Sequence, residues 1–296
     1  MKSGLVAIVG RPNVGKSSLL NSLLRRKISI VSPRPATTRL KVLGILNGRE
    51  GQAVFIDTPG FEKPRHELGQ VMVRTVRSSV AEADVVLMLA ESRGWRQEDE
   101  AILEIVRASR THTVLCLTKI DLVPDRRTLL PLISDASKRH PFLEIIPVSA
   151  LTGENLPDVE AAVFAALPEG QPLFPRESTT NLPDDYLIAE LIREKVCALT
   201  YEEVPQATAV AVEEMRQGLG REDLLVIRAA IIVDRDHLKG MLIGKGGAKV
   251  KAIGRRAREE IEAFTGKKVY LDLRVETVED WRNRPDIFRR FGYGSL

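Results

Sequence analysis

The sequence predicts an α/β domain, a mostly parallel sheet with helices on both faces, followed by a smaller α+β domain. Three observations carry this. Over residues 1–167, short β-rich apolar runs alternate with amphipathic segments, as strands joined by crossover helices require. Four prolines, Pro168, Pro172, Pro175 and Pro183, then interrupt the pattern and mark residues 168–185 as a linker. Beyond it, over residues 186–296, the order changes to helix, two strands, a glycine loop, a basic helix and a third strand. A length of 296 residues also suits two domains better than one.

The elements follow in order. "GLVAIVG" reads as a buried strand and "KSSLLNSLLRR" as the helix after it. "KVLGILN" and "AVFIDTPG" read as strands joined by a turn at Asn47-Gly48. "DVVLMLA", "HTVLCLTKID" and "EIIPVSA" are three further strands, with helices expected over 67–80, 97–109 and 127–139 between them. "NLPDVEAAVFAAL" closes the first domain as a helix. In the second, a helix is expected over 186–200, with Asp184 and Asp185 as its caps. "QATAVAVEEMRQ", "EDLLVIRAAIIVD" and "KKVYLDLRVET" are its strands.

Composition narrows the class. Hydrophobic residues at 44% and charged residues at 28% are ordinary for a soluble globular chain. The longest apolar run, residues 85–90, is too short to cross a bilayer, and no secretory signal or transit segment is expected. Cys116 and Cys197 have no metal-ligand spacing and read as reduced thiols. The net charge of +4 hides a segregation. Residues 176–223 hold five Lys or Arg against eleven Asp or Glu, whereas residues 236–296 hold fourteen against nine. A polyanion partner for the C-terminal part would fit that asymmetry.

"GRPNVGKS" fulfils G-x-x-x-x-G-K-[ST], with a strand before it and a helix after it. The residues expected to hold phosphate are Gly10, Arg11, Pro12, Asn13, Val14, Gly15, Lys16, Ser17 and Ser18. Glycines let backbone N–H groups turn onto phosphate oxygens, Lys16 reaches the outer phosphates, and Ser17 can ligate Mg²⁺. Three companions end later strands: Asp57, Thr58, Pro59 and Gly60 in "DTPG"; Thr118, Lys119 and Asp121 in "TKID"; Ser149, Ala150 and Leu151 in "SAL". Ligands bind at such strand ends in open α/β sheets.

This ordered set resembles the translation-factor-related branch of the P-loop GTPases over residues 1–165. The resemblance implies GTP and GDP as ligands. Asp121 would take the two guanine N–H donors, Lys119 would lie along the base, and the Ala150 N–H would meet the guanine oxygen. Thr118 stands where the family usually has Asn, and its hydroxyl can still bond the phosphate loop. "SPRPATTRL", residues 32–40, reads as a switch loop ordered by γ-phosphate and Mg²⁺. By resemblance Thr38 joins Ser17 and Asp57 as a Mg²⁺ ligand, with Thr37 as the alternate. Gly60 offers its N–H near the γ-phosphate.

Hydrolysis rests on positioning and charge neutralisation. Where many GTPases carry a water-orienting Gln, this chain has Phe61, so slow intrinsic turnover is expected. Asn13 resembles the residue that helps hold K⁺ in several such GTPases, which points to K⁺ stimulation.

The second loop, "IGKGGAKVKAIG", lacks the first loop's pattern. Its "GKGG", Gly244 to Gly247 with Lys245 and Gly246 between, fits the G-x-x-G clamp of KH modules. The turn would press N–H groups and Lys245 onto a sugar–phosphate chain, with Lys249, Lys251 and Arg255 extending the basic face. Ile243, Val250 and Ile253 would meet bases. The order of elements resembles the prokaryotic, type II KH domain.

"GRPNVGKSS", "TTR", "DTPGF", the KH order and the ending "ETVEDWRNRPDIFRRFGY" together resemble the Era-like GTPase family over essentially the whole chain. That implies a monomer that binds near the 3′ end of small-subunit ribosomal RNA during assembly of the small ribosomal subunit. It also implies a cytoplasmic protein with peripheral contact at the inner face of the membrane. The alternative is a GTPase whose basic C-terminal face docks a protein or a membrane instead of RNA. His66, His112, His140 and His237 have no metal spacing, and Trp95 is expected to pack a loop.

Overall fold

The computed structural model describes all residues except Pro35, Ala36, Gly292, Gly294, Ser295 and Leu296, and the side chain of Arg290. Parts of the loop 32–40 and of the C-terminal run therefore lie outside the described residues. The chain forms two compact units. The first comprises Met1–Ser29, Thr38–Pro64 and Gly69–Asn181; the second comprises Ile30–Thr37, Arg65–Leu68 and Leu182–Leu296.

The first unit alternates β1 (Lys2–Gly10), α1 (Lys16–Leu24), β2 (Val42–Asn47), β3 (Gly51–Asp57), α2 (Glu67–Glu82), β4 (Val85–Glu91), α3 (Gln97–Ser109), β5 (His112–Thr118), α4 (Leu129–Arg139), β6 (Ile145–Val148) and α5 (Leu156–Ala166). Its six strands lie in the order β2-β3-β1-β4-β5-β6, all parallel except β2 against β3. Strand alternation sends Ala7, Val9, Val86 and Met88 to one face, where they meet Val76, Ile102, Val106 and Ala136 of α2, α3 and α4. Helices α1 and α5 touch each other and the sheet. With both faces covered, residues 5–9 of β1 and 85–90 of β4 are continuous apolar runs. Cys116 and Cys197 are buried and not joined in a disulfide, and burial pushes the Cys116 thiol up to about 12.

The proline segment is not a free spacer. Glu169 bridges to Lys2 and Thr180 to Gly44, and the Ile45 N–H donates to the Thr179 carbonyl at 2.9 Å. The edge of β2 is thereby covered. The buried amide of Gln52 anchors the middle: its Oε1 accepts from Leu173 N and Phe174 N at 2.8 and 2.9 Å, and its Nε2 donates to the Phe174 carbonyl at 2.8 Å. Prolines lack N–H but keep their carbonyls, so an extended segment can still be held by a neighbour's donors.

The second unit carries α6 (Asp184–Leu199), α7 (Val204–Ala207), β7 (Thr208–Gly218), β8 (Arg221–Val233), α8 (Asp236–Ile243), α9 (Ala248–Thr265), β9 (Lys268–Thr277) and α10 (Pro285–Arg290). Strand β8 lies between β7, antiparallel, and β9, parallel. One apolar cluster joins Ile188 and Ile192 of α6, Ile227 and Ile231 of β8, Leu238 of α8 and Ile253, Ala257 and Ile261 of α9. Asp184 and Asp185 do not cap α6 from outside, because Pro183 holds that position and both acids lie in the first turn. There they face the positive end of the helix dipole. Short α7 was not read from the sequence. Its last residue offers the Ala207 carbonyl to the indole N–H of buried Trp281 at 2.9 Å. Within this unit the Val31 N–H donates to Glu194 at 2.9 Å, Arg34 lies over the Tyr201 ring, and buried Arg193 donates to the Thr37 carbonyl.

Candidate nucleotide site and nucleic-acid interface

The loop from Gly10 to Lys16 turns because two of its residues take left-handed backbone, Asn13 at φ 61° and Gly15 at φ 104°. Gly10 has no room for a side chain: a Cβ there would lie 2.7 Å from Val14 and 2.9 Å from the Leu89 carbonyl oxygen. The Lys16 ammonium donates to the Gly10 and Arg11 carbonyls at 3.0 and 3.1 Å. Burial lowers its pKa to about 8, with Asp57 pulling the other way. The Arg11 carbonyl faces Lys16, and the Arg11 guanidinium is engaged by a carboxylate. Its Nη2 donates to Glu91 at 2.5 Å. Gly60 packs on Pro12, where a Cβ would come within 2.9 Å.

Three oxygens converge beside this loop. Ser17 Oγ donates to Asp57 Oδ2 at 2.7 Å and lies 2.9 Å from Thr38 Oγ1, which is 3.4 Å from the same carboxylate oxygen. Among the described residues Asp57 Oδ1 is buried without a hydrogen-bond partner. Burial raises the Asp57 pKa against the pull of Lys16 and the hydroxyls. An all-oxygen set with an orphaned carboxylate oxygen suits a hard divalent cation. Thr37 is elsewhere, its hydroxyl donating to the Arg34 carbonyl at 2.6 Å. The Thr58 hydroxyl is spent on the Ile8 carbonyl at 2.7 Å. The Phe61 side chain packs half-buried on the α2–α3–α4 face of the core.

The residues expected on the base side follow β5 and β6. Thr118 Oγ1 donates to the Val14 carbonyl at 2.7 Å, with the Ala90 carbonyl at 3.2 Å. The threonine thus ties this strand to the phosphate loop. Ser149 donates to Asp121 Oδ1 at 2.5 Å and orients the carboxylate. Ser22 of α1 donates to the Ala150 carbonyl at 2.7 Å. The side chain of Leu151 is not brought to the site; it is 83% exposed.

In the second unit α8 ends at Ile243 with Gly244 as its cap, and Gly244, Gly246 and Gly247 all have positive φ. Lys245 and Gly246 project into solvent. Between α9 and β9 runs a groove of about 500 Å³, lined by Val250, Lys251, Gly254, Arg255 and Arg258 on one side and Tyr270, Leu271 and Leu273 on the other. Among the described residues strand β9 pairs with β8 alone, and its Tyr270, Leu271 and Leu273 line this groove. Ile243, Lys249 and Val250 are half-buried. Ile253 is fully buried and cannot meet a base. It continues the core stripe with Ala257 and Ile261, four and eight residues on.

Residues 5–119 match a family model described as 50S ribosome-binding GTPase, and residues 203–282 match one described as KH domain. GTPase Era of Aquifex aeolicus (strain VF5) is 47% identical over 299 residues, spanning 99% of this chain and 99% of the relative. The chain belongs to the Era GTPase family. GTPase Era of Heliobacterium modesticaldum (strain ATCC 51547 / Ice1) is 42% identical, over 99% of this chain and 97% of that one. A crystal structure of an A. aeolicus Era variant bound to GDP·AlF₄⁻ superposes with a TM-score of 0.96, 46% identity and 99% of both chains covered. Era in complex with MgGDPNP and nucleotides 1506–1542 of 16S ribosomal RNA matches with the same three values.

This Era-family chain is therefore a GTPase with a C-terminal KH domain. Two groups of residues beside these sites carry no sequence motif. Glu91 lies beyond any motif, and its only signal was position, at the end of a strand beside the phosphate loop. Tyr270, Leu271 and Leu273 read as ordinary strand residues. Thr118→Ala is expected to weaken GDP binding about tenfold, because it leaves the buried Val14 carbonyl without its donor. Titration calorimetry checks this, with Thr118→Asn expected near wild type.

Proposed function

We propose that this GTPase binds GTP and GDP with Mg²⁺ in the first unit and single-stranded ribosomal RNA, near the 3′ end of the small-subunit RNA, in the second, during small-subunit assembly. The basic groove headed by the left-handed GKGG turn carries the RNA half. The Era complex with 16S nucleotides supports the identity of that RNA. Lys245, Lys249, Lys251 and Arg255 would follow the phosphates, while Ile243, Val250 and the β9 edge would meet bases. Ser17, Thr38 and Asp57 would hold Mg²⁺, which neutralises charge on the phosphates when bound. Lys16 and the Gly60 N–H would face the outer phosphates, with Asp121, Lys119 and Ala150 on the guanine.

GTP would order residues 32–40, and hydrolysis would release the RNA. Crosslinking the protein to cellular RNA tests the reading. Fragments from the 3′ end of small-subunit RNA are expected, enriched with a GTP analogue over GDP. Fragments spread evenly over unrelated RNAs would refute it.

Phe61 cannot orient water, so turnover should depend on another group. Asn13 would help hold K⁺, and turnover in KCl should exceed that in NaCl severalfold at equal ionic strength; equal rates would dismiss this role. The same reading has the protein working in the cytoplasm and touching the inner face of the membrane. Among the described residues no helix is long and apolar enough to cross a membrane.

A further inference from the structure

Glu91 ends β4, the strand between β1, which runs into the phosphate loop, and β5, which runs into the base-recognition segment. Its carboxylate is mostly buried and accepts from two cations that belong to those two segments. Oε2 takes Arg11 Nη2 at 2.5 Å, and Oε1 takes the Lys119 ammonium. On its far side Arg11 has Asp99 of α3, with Nε 3.5 Å from Oδ1, and Asp99 itself accepts from the Arg96 N–H at 2.9 Å. The Arg96 guanidinium is 3.9 Å from Glu91, at the rim. Burial would raise the Glu91 pKa, but the hydrogen bonds from Lys119 and Arg11 outweigh it and hold the group ionised.

We infer that Glu91 is a positioning residue for guanine-nucleotide binding: it holds Lys119 so that the lysine stem lies where the base must stack, and locks that stem to the phosphate loop through Arg11. The inference rests on the nucleotide reading above. Lys119 has left-handed backbone, φ 60°, and its ammonium reaches Glu91 at the end of the neighbouring strand β4. A four-carbon stem has many rotamers, and an ion pair at its tip selects among them before the base arrives. The arrangement also accounts for Arg11. Its guanidinium is committed to Glu91 and Asp99 and does not serve as an arginine finger.

The test is GDP titration in EDTA, which isolates the base side from the metal, for wild type, Glu91→Gln, Lys119→Met and the double variant. Wild type must bind GDP; failure there sinks the nucleotide reading itself and not this inference alone. Glu91→Gln and Lys119→Met are each expected to weaken binding about tenfold, and the double variant no more than about twofold beyond Lys119→Met. In GTP turnover, KM should rise about tenfold for Glu91→Gln while kcat falls less than about threefold, the pattern of lost ground-state positioning. A Glu91→Gln affinity within twofold of wild type overturns the inference. So does a full tenfold loss that persists in the Lys119→Met background, because the effect would then run through Arg11 alone. Should Glu91→Gln not fold, as judged by its melt, Glu91→Asp, one methylene too short to reach both cations, takes its place in the same titrations with the same deciding outcomes.

Discussion

Gly246→Asp is expected to remove RNA binding and leave GTP binding at its wild-type level. The three glycines of the loop are not equivalent probes. Gly244 combines φ 71° with ψ 175°, backbone that only glycine adopts easily, and a Cβ there would lie 2.9 Å from the Lys249 Cβ. Substitution at Gly244 would disturb the turn itself. Gly246 sits at φ 59°, ψ 22°, a left-handed geometry that Asp tolerates at a cost of about 1 kcal/mol. A Cβ there meets nothing within 4 Å. The fold should survive, and the loss should be electrostatic. The new carboxylate would stand where a phosphate must approach and would pair with Lys245. A repulsion of roughly 3 kcal/mol corresponds to on the order of a hundredfold in affinity. Fluorescence anisotropy with an oligonucleotide of the 16S 3′ end, beside GDP titration of the same sample, checks both halves. Unchanged RNA affinity would end the assignment of the GKGG turn as an RNA clamp.

The residues that were legible in advance are those whose chemistry is local. Left-handed turns favour glycine and Asn, so the phosphate loop and GKGG declare themselves as strings. Strand ends declare Asp57 and Asp121 because motif and apolar run abut. Thr118 offers a hydroxyl at a strand end, within reach of the phosphate loop, and it donates to the Val14 carbonyl. What could not be read depends on partners distant in the chain. Prolines announced an extended segment at 168–185, but not that Gln52, more than 100 residues earlier, holds its middle. Helical periodicity put Ile253 beside Val250, and only the packing of α9 on α6 and the sheet decides which one faces the core. The groove needs β9, which follows the glycine loop by some 20 residues and joins it only through parallel pairing with β8. Glu91 is the sharpest case. A single acid at the end of a strand carries no pattern, yet the strand order puts it between two cations of the nucleotide site.

Asp57→Asn should cost the most turnover of any single change in the first unit. The amide keeps the shape of the carboxylate, and its Nδ2 can donate to Ser17 or Thr38, so the strand end should hold its geometry. What it loses is the charge. Asp57 is wholly buried, and its environment already works against ionisation: burial raises its pKa, and Lys16, Ser17 and Thr38 only partly offset this. A buried carboxylate with one oxygen left unpartnered is costly unless a cation completes it. With Asn in its place the oxygen set would retain two hydroxyls and a neutral amide, a poor match for a strongly hydrated divalent ion. Turnover is expected to fall at least about a hundredfold, and the dependence of GDP affinity on Mg²⁺, compared with EDTA, should flatten. Thr38→Ala should show the same signature more weakly. Thr37→Ala should not, because the Thr37 hydroxyl is bound to the Arg34 carbonyl and lies outside the three-oxygen cluster. Equal effects at the two threonines, or an Asp57→Asn protein that keeps both its turnover and its Mg²⁺ dependence, would show that the metal is held by a different set of residues.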